Sequence, residues 1–559
     1  MLLSNLNLLA TAPGGVARLR ELILTLAVQG KLVPQDPSDQ PASELLKNVR
    51  AEKDRLIADG KIKRDKPLAG IAEEEKPFGL PHGWEWVPLQ HIGYTQTGTT
   101  PDKKNTQMYG GGIPFIKPGD IYPNRVDYDN EALSQEGLND SGRAAPAGSL
   151  LMVCIGTIGK SNLISRDCSF NQQINSITPL CCSPEYVKLY CRSPYFQGEA
   201  WARSASTTIA ILNKGKWEAI PFALPPLAEQ SRIVTRVEEL MRLCDALEAK
   251  GQLEATQHAQ LLTTMLGTLT DSETPKQLTD NWHRIVTHFD LLLDRPEAVD
   301  ALEQTIMQLA VHGLLVPQDS QDEPASELLK KIRARKDKLI ADGKIKRDKP
   351  LPPIAEDEQP FALPQGWEWV PIETLGDVGT GTTPSRDNAA FFAGGAMPWV
   401  TSGETGKPFI AATAQHVTEL ALAQTSLSIY PVGTLIVAMY GQGKTRGQVS
   451  ELQIEAATNQ ACAAIVLVEP SLAHRSFIKL VFEKSYDKMR ELSAGGAQPN
   501  LNVGKIKSTL IPLPPLAEQS RIVTRVAQLR RLCADLRQRL TASQSTQAHL
   551  AEALVENIA

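Results

Sequence analysis

The sequence predicts an α+β protein, with two compact α/β insert domains in a pseudo-twofold tandem repeat joined by two long antiparallel coiled-coil helices. Three observations predict it. The decapeptide ADGKIKRDKP occurs identically from Ala58 and from Ala341, an offset of 283 in a chain of 559 residues. Two short apolar runs bounded by glycine, GSLLMVCI from Gly148 and GTLIVAMY from Gly433, read as buried strands. Two stretches further on carry apolar residues at spacings of four and three in alternation, the seam of a coiled coil.

The repeat organises everything else. At the same offset of 283, AVQGKLVPQD from Ala27 matches AVHGLLVPQD from Ala310, LPHGWEWVP from Leu80 matches LPQGWEWVP from Leu363, and GTTP recurs from Gly98 and Gly381. Similarity then collapses over the inserts, 102–210 and 385–499. It returns as LPPLAEQSRIVTRV from Leu224 and Leu513, now at an offset of 289. So long a period marks duplication of a two-part unit rather than a solenoid. A frame kept nearly identical while its inserts diverge is what two readers of different targets on a common frame would show. The expected order is a helical region (1–79), insert domain (80–222) and long helix (223–270), then the second copy (271–362, 363–511, 512–559).

Each element has a local reason. Ser43 precedes a segment with Leu45, Leu46, Val49, Leu56 and Ile57 at helical spacing, and Gly60 stops it; 326–343 repeats this. Pro225 and Pro226 sit where a helix can begin. Ile233, Val237, Leu240, Cys244 and Leu247 then form the first seam, and Ile522, Val526, Leu529, Cys533, Leu536 and Leu540 the second. The first weakens at Gly251, Glu254 and His258 and resumes at Leu261 and Met265. Helices of about 40 residues span roughly 60 Å. Matching seams most simply pack on each other as a spacer; the alternative is that each docks on its own half.

Composition bounds the function classes. The chain is 42% hydrophobic and 22% charged, with no apolar run of about 18 residues to span a membrane. Its opening residues lack the basic and apolar regions of a secretory signal. Eight cysteines without a C-x-x-C pair argue against a disulfide framework or zinc ribbon, so a cytoplasmic protein is expected. The net charge of -5 discourages nucleic acid over the whole chain. Locally the balance differs: 102–222 holds 12 Lys and Arg against 11 Asp and Glu, and 385–511 holds 11 against 9. The run Lys61, Lys63, Arg64, Lys66 and its twin Lys344, Lys346, Arg347, Lys349 is basic too, which a solvated linker explains as well as DNA does.

Both strands lead into a Gly-Lys turn, Gly159-Lys160-Ser161 and Gly443-Lys444-Thr445-Arg446. A nucleotide-binding loop needs a glycine five residues earlier, where Cys154 and Ala438 stand, so an NTPase is excluded. What survives is a turn presenting a lysine beside backbone N–H groups, suited to a single phosphate, or else a plain strand-ending turn. Asn171-Gln172 and Asn459-Gln460 have the chemistry to read adenine edges and are also ordinary loop residues. Lys214 and Lys216, with Lys505 in the second copy, lie beside glycine turns. Trp84, Trp86, Trp367 and Trp369 read as packing anchors, and Cys244 and Cys533 as small core residues. No metal cluster and no catalytic constellation is found, which favours a binding module over an enzyme. Its rival is a two-armed scaffold gripping peptides.

Taken together, LPxGWxWVPL, GTTP, GGGIPFIKPGDI from Gly110, the strand followed by GTIGK, and LPPLAEQSRIV resemble the specificity subunit of type I restriction-modification systems over essentially the whole chain. The lead-in LAVQGKLVPQDPSDQPASELLK resembles a branch with extended N-terminal regions. In the second insert, GGAMPWVTSGE departs from the IPFIKPGDI pattern, so no role of Lys117 carries over. The resemblance implies a non-catalytic subunit whose two target-recognition domains each read one half of a split asymmetric site on double-stranded DNA. It implies two modification (methyltransferase) subunits that bind S-adenosylmethionine, and restriction subunits that use ATP and Mg. No cofactor is expected on this chain, no membrane, and a bacterial or archaeal cytoplasm. The expected DNA-binding residues are Thr99, Thr100, Lys117, Lys160, Ser161, Asn171, Gln172, Lys214 and Lys216 in the first half. In the second they are Thr382, Thr383, Lys444, Thr445, Arg446, Asn459, Gln460 and Lys505.

Overall fold

The computed structural model describes residues 8–141, 143–204, 209–347, 352, 354–441, 445–494 and 501–558. It divides into two units, Met1–Ala255 with Ser543–Ala559, and Thr256–Ala542. Each unit therefore holds one lead-in, one insert and pieces of both long helices.

In the first unit the lead-in supplies a helix Gly15–Val28 and a second, the arm helix, Ala42–Ala58. The arm helix buries Leu45, Leu46 and Val49. It closes on Gly60 at φ 69, with the Lys61 N–H returning to the Leu56 carbonyl at 2.9 Å. That left-handed residue is what glycine supplies at little cost. The strand Glu85–Pro88 pairs antiparallel with Pro221–Leu224, tying the two ends of the insert together. Between them lies a four-stranded antiparallel sheet in the order Gly93–Thr97, Ile174–Pro179, Leu150–Val153, Ser161–Leu163. A three-stranded sheet of Ala132–Leu133, Tyr109–Ile116 and Ser169–Phe170 accompanies it.

The strand Leu150–Val153 shows why its segment reads as an unbroken apolar run. Leu150 and Met152 join the core around Tyr186, Trp217 and Phe222, while Leu151 and Val153 join a separate cluster with Ile116 and Phe170. A strand covered on both faces is apolar at every position. The second unit repeats the arrangement. Leu435 and Val437 face the core around Phe477 and Ile511, and Ile436 faces a cluster with Val400 and Leu452. Its sheets are larger, one of five strands and one of four, with Glu368–Pro371 again pairing with Leu510–Leu513.

The long helices run Leu227–Thr270 and Leu516–Ile558, each directly after the proline pair. Their seams differ from the simplest expectation. Ile233, Val237 and Cys244 sit in the first unit's own core beside Leu19 and Ile23 of the lead-in helix; Ile522, Val526 and Cys533 do the same in the second unit. The first part of each seam is thus filled by its own half, the alternative reading. The far ends cross over: Leu262, Leu266 and Leu269 belong to the second unit's core, and Ala551 to the first's. Residues 248–257 between are exposed on an unbroken helix, so the weak seam at Gly251 and Glu254 is the stretch belonging to neither core.

Two anchors hold each long helix. Trp84 Nε1 donates to Glu229 Oε2 at 2.9 Å, and Trp367 Nε1 to Glu518 Oε2 at 3.0 Å. Gln35 and Gln318 satisfy the other carboxylate oxygens at 2.7 Å. Burial raises both carboxyls above their ordinary range, and these hydrogen bonds oppose the rise. The second anchor is an ion pair whose charges are reversed between the units. Arg20 on the lead-in helix reaches Asp245 at 2.6 Å and Glu248 at 2.8 Å on the long helix. In the second unit Arg537 on the long helix reaches Asp300 at 2.6 Å and Glu303 at 2.9 Å on the lead-in helix. By the repeat offsets, Glu303 stands where Arg20 does and Arg537 where Glu248 does.

Candidate nucleic-acid interface

The strands Gly93–Thr97 and Gly376–Thr380 each deliver the chain into GTTP. Gly98 is required there: a Cβ would lie 2.1 Å from the Asn171 carbonyl oxygen, and on Gly381 1.7 Å from that of Thr458. The close approach seats Thr100 against Gln172, its Oγ1 donating to Oε1. Thr383 makes the same bond to Gln460 Oε1. Two motifs 72 and 77 residues apart in the chain thus become one exposed feature, twice. With each glutamine oxygen held by a hydroxyl, the amide N–H groups are left as donors, the chemistry that meets base-edge acceptors or phosphate oxygens.

The neighbouring residues have other tasks. Asn171 Oδ1 accepts the Gln173 N–H at 3.1 Å, and Asn459 Oδ1 the Ala461 N–H at 3.0 Å. Both asparagine oxygens thus shape their turns. The Thr99 N–H donates to the Phe170 carbonyl and that of Thr382 to Thr458, each at 3.0 Å, while Thr382 Oγ1 lies 2.8 Å from Ser426 Oγ.

The Gly-Lys turn departs from the expected phosphate cradle. The N–H groups of Gly156 and Gly159 are taken by the carbonyls of Ala210 and Val153, each at 3.0 Å. Lys160 Nζ donates to the Pro118 carbonyl at 2.8 Å and lies 5.5 Å from the Tyr122 ring centre. Ser161 lies inside its strand, 5% exposed, with no partner for Oγ among the described residues. The turn ends a strand and braces the 117–122 segment. Lys444 lies outside the described residues; Thr445 and Arg446 are half-buried, and the adjoining Gly447 N–H is bound to Ala438 at 2.9 Å.

The remaining lysines divide similarly. Lys117 is paired with Glu131 at 2.7 Å and Lys214 with Glu218 at 3.0 Å. Lys216 and Lys505 are exposed at the starts of short helices capped by Asn213 and Asn502, whose Oδ1 atoms accept their N–H groups at 2.9 and 2.8 Å. Lys216 Nζ also reaches the Arg203 carbonyl at 3.0 Å.

Lys103 and Arg386 are not among the residues the sequence singles out, because the shared frame reads as ending at 101 and 384. Both are exposed directly after GTTP, at the common offset. The turn that carries them is also shared, since Asn105 and Asn388 each accept an N–H two residues on at 3.1 Å. Each half also carries features of its own. In the first unit Arg125 and Lys160 flank the exposed Tyr122 ring, Arg125 at 5.0 Å, and Arg166 covers Tyr128 at 4.8 Å. In the second, Arg386, Phe392, Gln415 and His416 line a cleft of about 370 Å³. Among the described residues no helix is long and apolar enough to cross a membrane, and no cluster of three His, Cys, Asp or Glu is arranged to hold a metal ion.

Residues 81–257 and 364–543 match the family model for the type I restriction modification DNA specificity domain. The chain is 35% identical to the type I restriction enzyme EcoAI specificity subunit of Escherichia coli, over 97% of this chain and 93% of that one. It is 34% identical to the EcoEI specificity subunit of the same organism over the same shares. Among solved structures, the HsdS subunit from Thermoanaerobacter tengcongensis aligns with 87% of this chain and 98% of its own at 17% identity and a TM-score of 0.37.

Proposed function

The chain belongs to the family of type I restriction enzyme specificity subunits, a non-catalytic class of DNA-recognition subunit, and from that premise we propose that it reads a split, asymmetric site on double-stranded DNA, one half per unit. The observation that carries this is the duplicated frame: Thr100–Gln172 with Lys103, and Thr383–Gln460 with Arg386, set beside surroundings that differ. A frame that approaches the duplex can be common to both halves, because the phosphate backbone is chemically uniform. The surroundings that discriminate bases must differ if the half-sites differ. The aromatic-cation group at Tyr122 and Tyr128 and the cleft at Gln415 and His416 have the donors, acceptors and flat faces for that task.

Two modification subunits carrying S-adenosylmethionine methylate adenine at the site read here, and restriction subunits supply ATP- and Mg-dependent action. The two long helices, of 44 and 43 residues, set the number of unread base pairs between the half-sites. Half-sites about one duplex turn (~34–36 Å) apart lie on the same face of the DNA. The near-neutral inserts give the subunit weak, salt-sensitive binding when alone. A mobility-shift assay on a mixed-sequence duplex pool, with and without co-purified modification subunits, tests this. A sequence-selective shift only in their presence is expected. No shift with the partners present would turn the reading toward a two-armed protein scaffold.

A further inference from the structure

Outside both segments that match the DNA specificity domain lies a feature the proposed function does not use. It is the ten-residue stretch identical in the two copies, 58–67 and 341–350. In the first copy it is no loose linker. The Lys61 and Ile62 N–H groups both return to the Leu56 carbonyl, at 2.9 and 3.3 Å, fixing how the chain leaves the arm helix. Lys53 Nζ then binds Asp65 Oδ2 and the Gln90 carbonyl, each at 2.7 Å, pinning the strip beside the start of the insert domain. Ile62, Asp65 and Leu68 are half-buried, whereas Lys61, Lys63, Arg64 and Lys66 are exposed. The inward positions recur every third residue, so the cations share the outer side. Lys63, Arg64 and Lys66 form no ion pair among the described residues. The second copy leaves its helix by the same bonds, and Lys346 and Arg347 are again exposed. Lys336, the counterpart of Lys53, binds the Glu373 and Gly376 carbonyls.

Packing accounts for the identity of Ile62 and Asp65. It gives no reason for the exposed cations themselves to be the same in the two copies. An identical basic sequence calls for a like partner in both copies, and its composition narrows the choice. Lysine-rich strips without an exposed aromatic or aliphatic anchor are poor material for a protein interface, where lysine is depleted. They are suited to phosphates. An exposed acidic turn follows in each copy, Glu73–Glu75 and Glu356–Glu358, which confines anion binding to the strip. We propose that the two strips are backbone clamps, each gripping phosphates of the duplex without regard to sequence, next to the half-site that its own unit reads. This rests on the reading of the chain as a DNA-recognition subunit.

The test uses the full chain co-purified with its modification subunits. Binding to a duplex carrying the methylation-mapped target, and to one lacking it, is measured across a salt series. In the variant, Lys63→Gln, Arg64→Gln and Lys66→Gln remove three exposed charges without disturbing Asp65 or Ile62. The slope of log K against log salt is expected to flatten by about 0.9 for each phosphate that is no longer neutralised. Both duplexes should weaken by the same factor, so that their ratio is kept. A second variant, Lys63→Arg with Lys66→Arg, keeps the parent slope. An unchanged slope in the glutamine variant while the parent binds normally overturns the clamp alone. Loss of the modification subunits from the variant complex overturns it in favour of a protein-binding strip. A parent complex that binds neither duplex overturns the clamp and the DNA reading together.

Discussion

At the residue scale, a few close approaches and one buried ring are decisive. Gly98 and Gly381 allow the GTTP backbone to lie against the opposing turn, and any Cβ there must displace backbone. Gly98→Ala is therefore expected to cost roughly 1–3 kcal/mol and to separate Thr100 from Gln172. Thermal unfolding checks the cost, and methylation mapping should show altered recognition at one half-site while the other is kept. His474 is fully buried, with Nδ1 lying 2.9 Å from Gln519 Oε1. Burial lowers its pKa below the ordinary 6.5, and the Gln519 hydrogen bond and the Glu469 charge oppose this. The unfolded chain thus binds the proton more readily, so stability is full above pH 6.5 and falls as pH drops below it. In the first unit the equivalent Gln230 instead accepts the Ser183 N–H at 2.9 Å, with no histidine involved. The melting temperature of a His474→Gln variant should decline less between pH 7 and pH 5 than that of the parent; an equal decline would remove His474 as the cause.

At the scale of elements, the lead-in helices meet the long helices through the same faces in both units but with opposite charges. Arg20 with Glu248, and Glu303 with Arg537, make each pairing favourable within its own half. The exchanged pairings would set Arg20 against Arg537 and Glu303 against Glu248. Two nearly identical halves on one chain face a risk of mispairing, and like charges at a shared position oppose it. Because these groups are partly exposed, each pair contributes only about 0.2–1 kcal/mol. Glu248→Arg should lower the melting temperature slightly, and adding Arg20→Glu should restore it. A double variant no more stable than the single one would show that the pair does not act as a unit. Neither the reversal nor its meaning was legible in the sequence, because the pairing appears only once the helices are docked. The strands were legible, since Leu150–Val153 and Leu435–Ala438 are covered on both faces and so are apolar throughout. The first Gly-Lys turn departs from expectation for the complementary reason. Lys160 is bound by a backbone carbonyl 42 residues away, a partner without a side-chain signal. Gln172 and Gln460 were visible as residues, but their threonine partners emerge only from the strand register.

At the scale of the whole molecule, the repeat makes the architecture readable: a nearly identical frame, divergent inserts, and tails whose residues are divided between the two units. The helix bounds follow from the proline pairs and the glycine stops, which act locally. The net charge of -5 was the poorest guide, because it averages exposed basic strips and near-neutral inserts with acidic stretches elsewhere. Independent reading by the two units is checked by replacing residues 102–210 with the corresponding insert of another family member and mapping methylated adenines genome-wide in cells carrying the complete system. The expected result is a new sequence in one half of the recognised site, with the other half and the spacing between them unchanged. A change in both halves would contradict it.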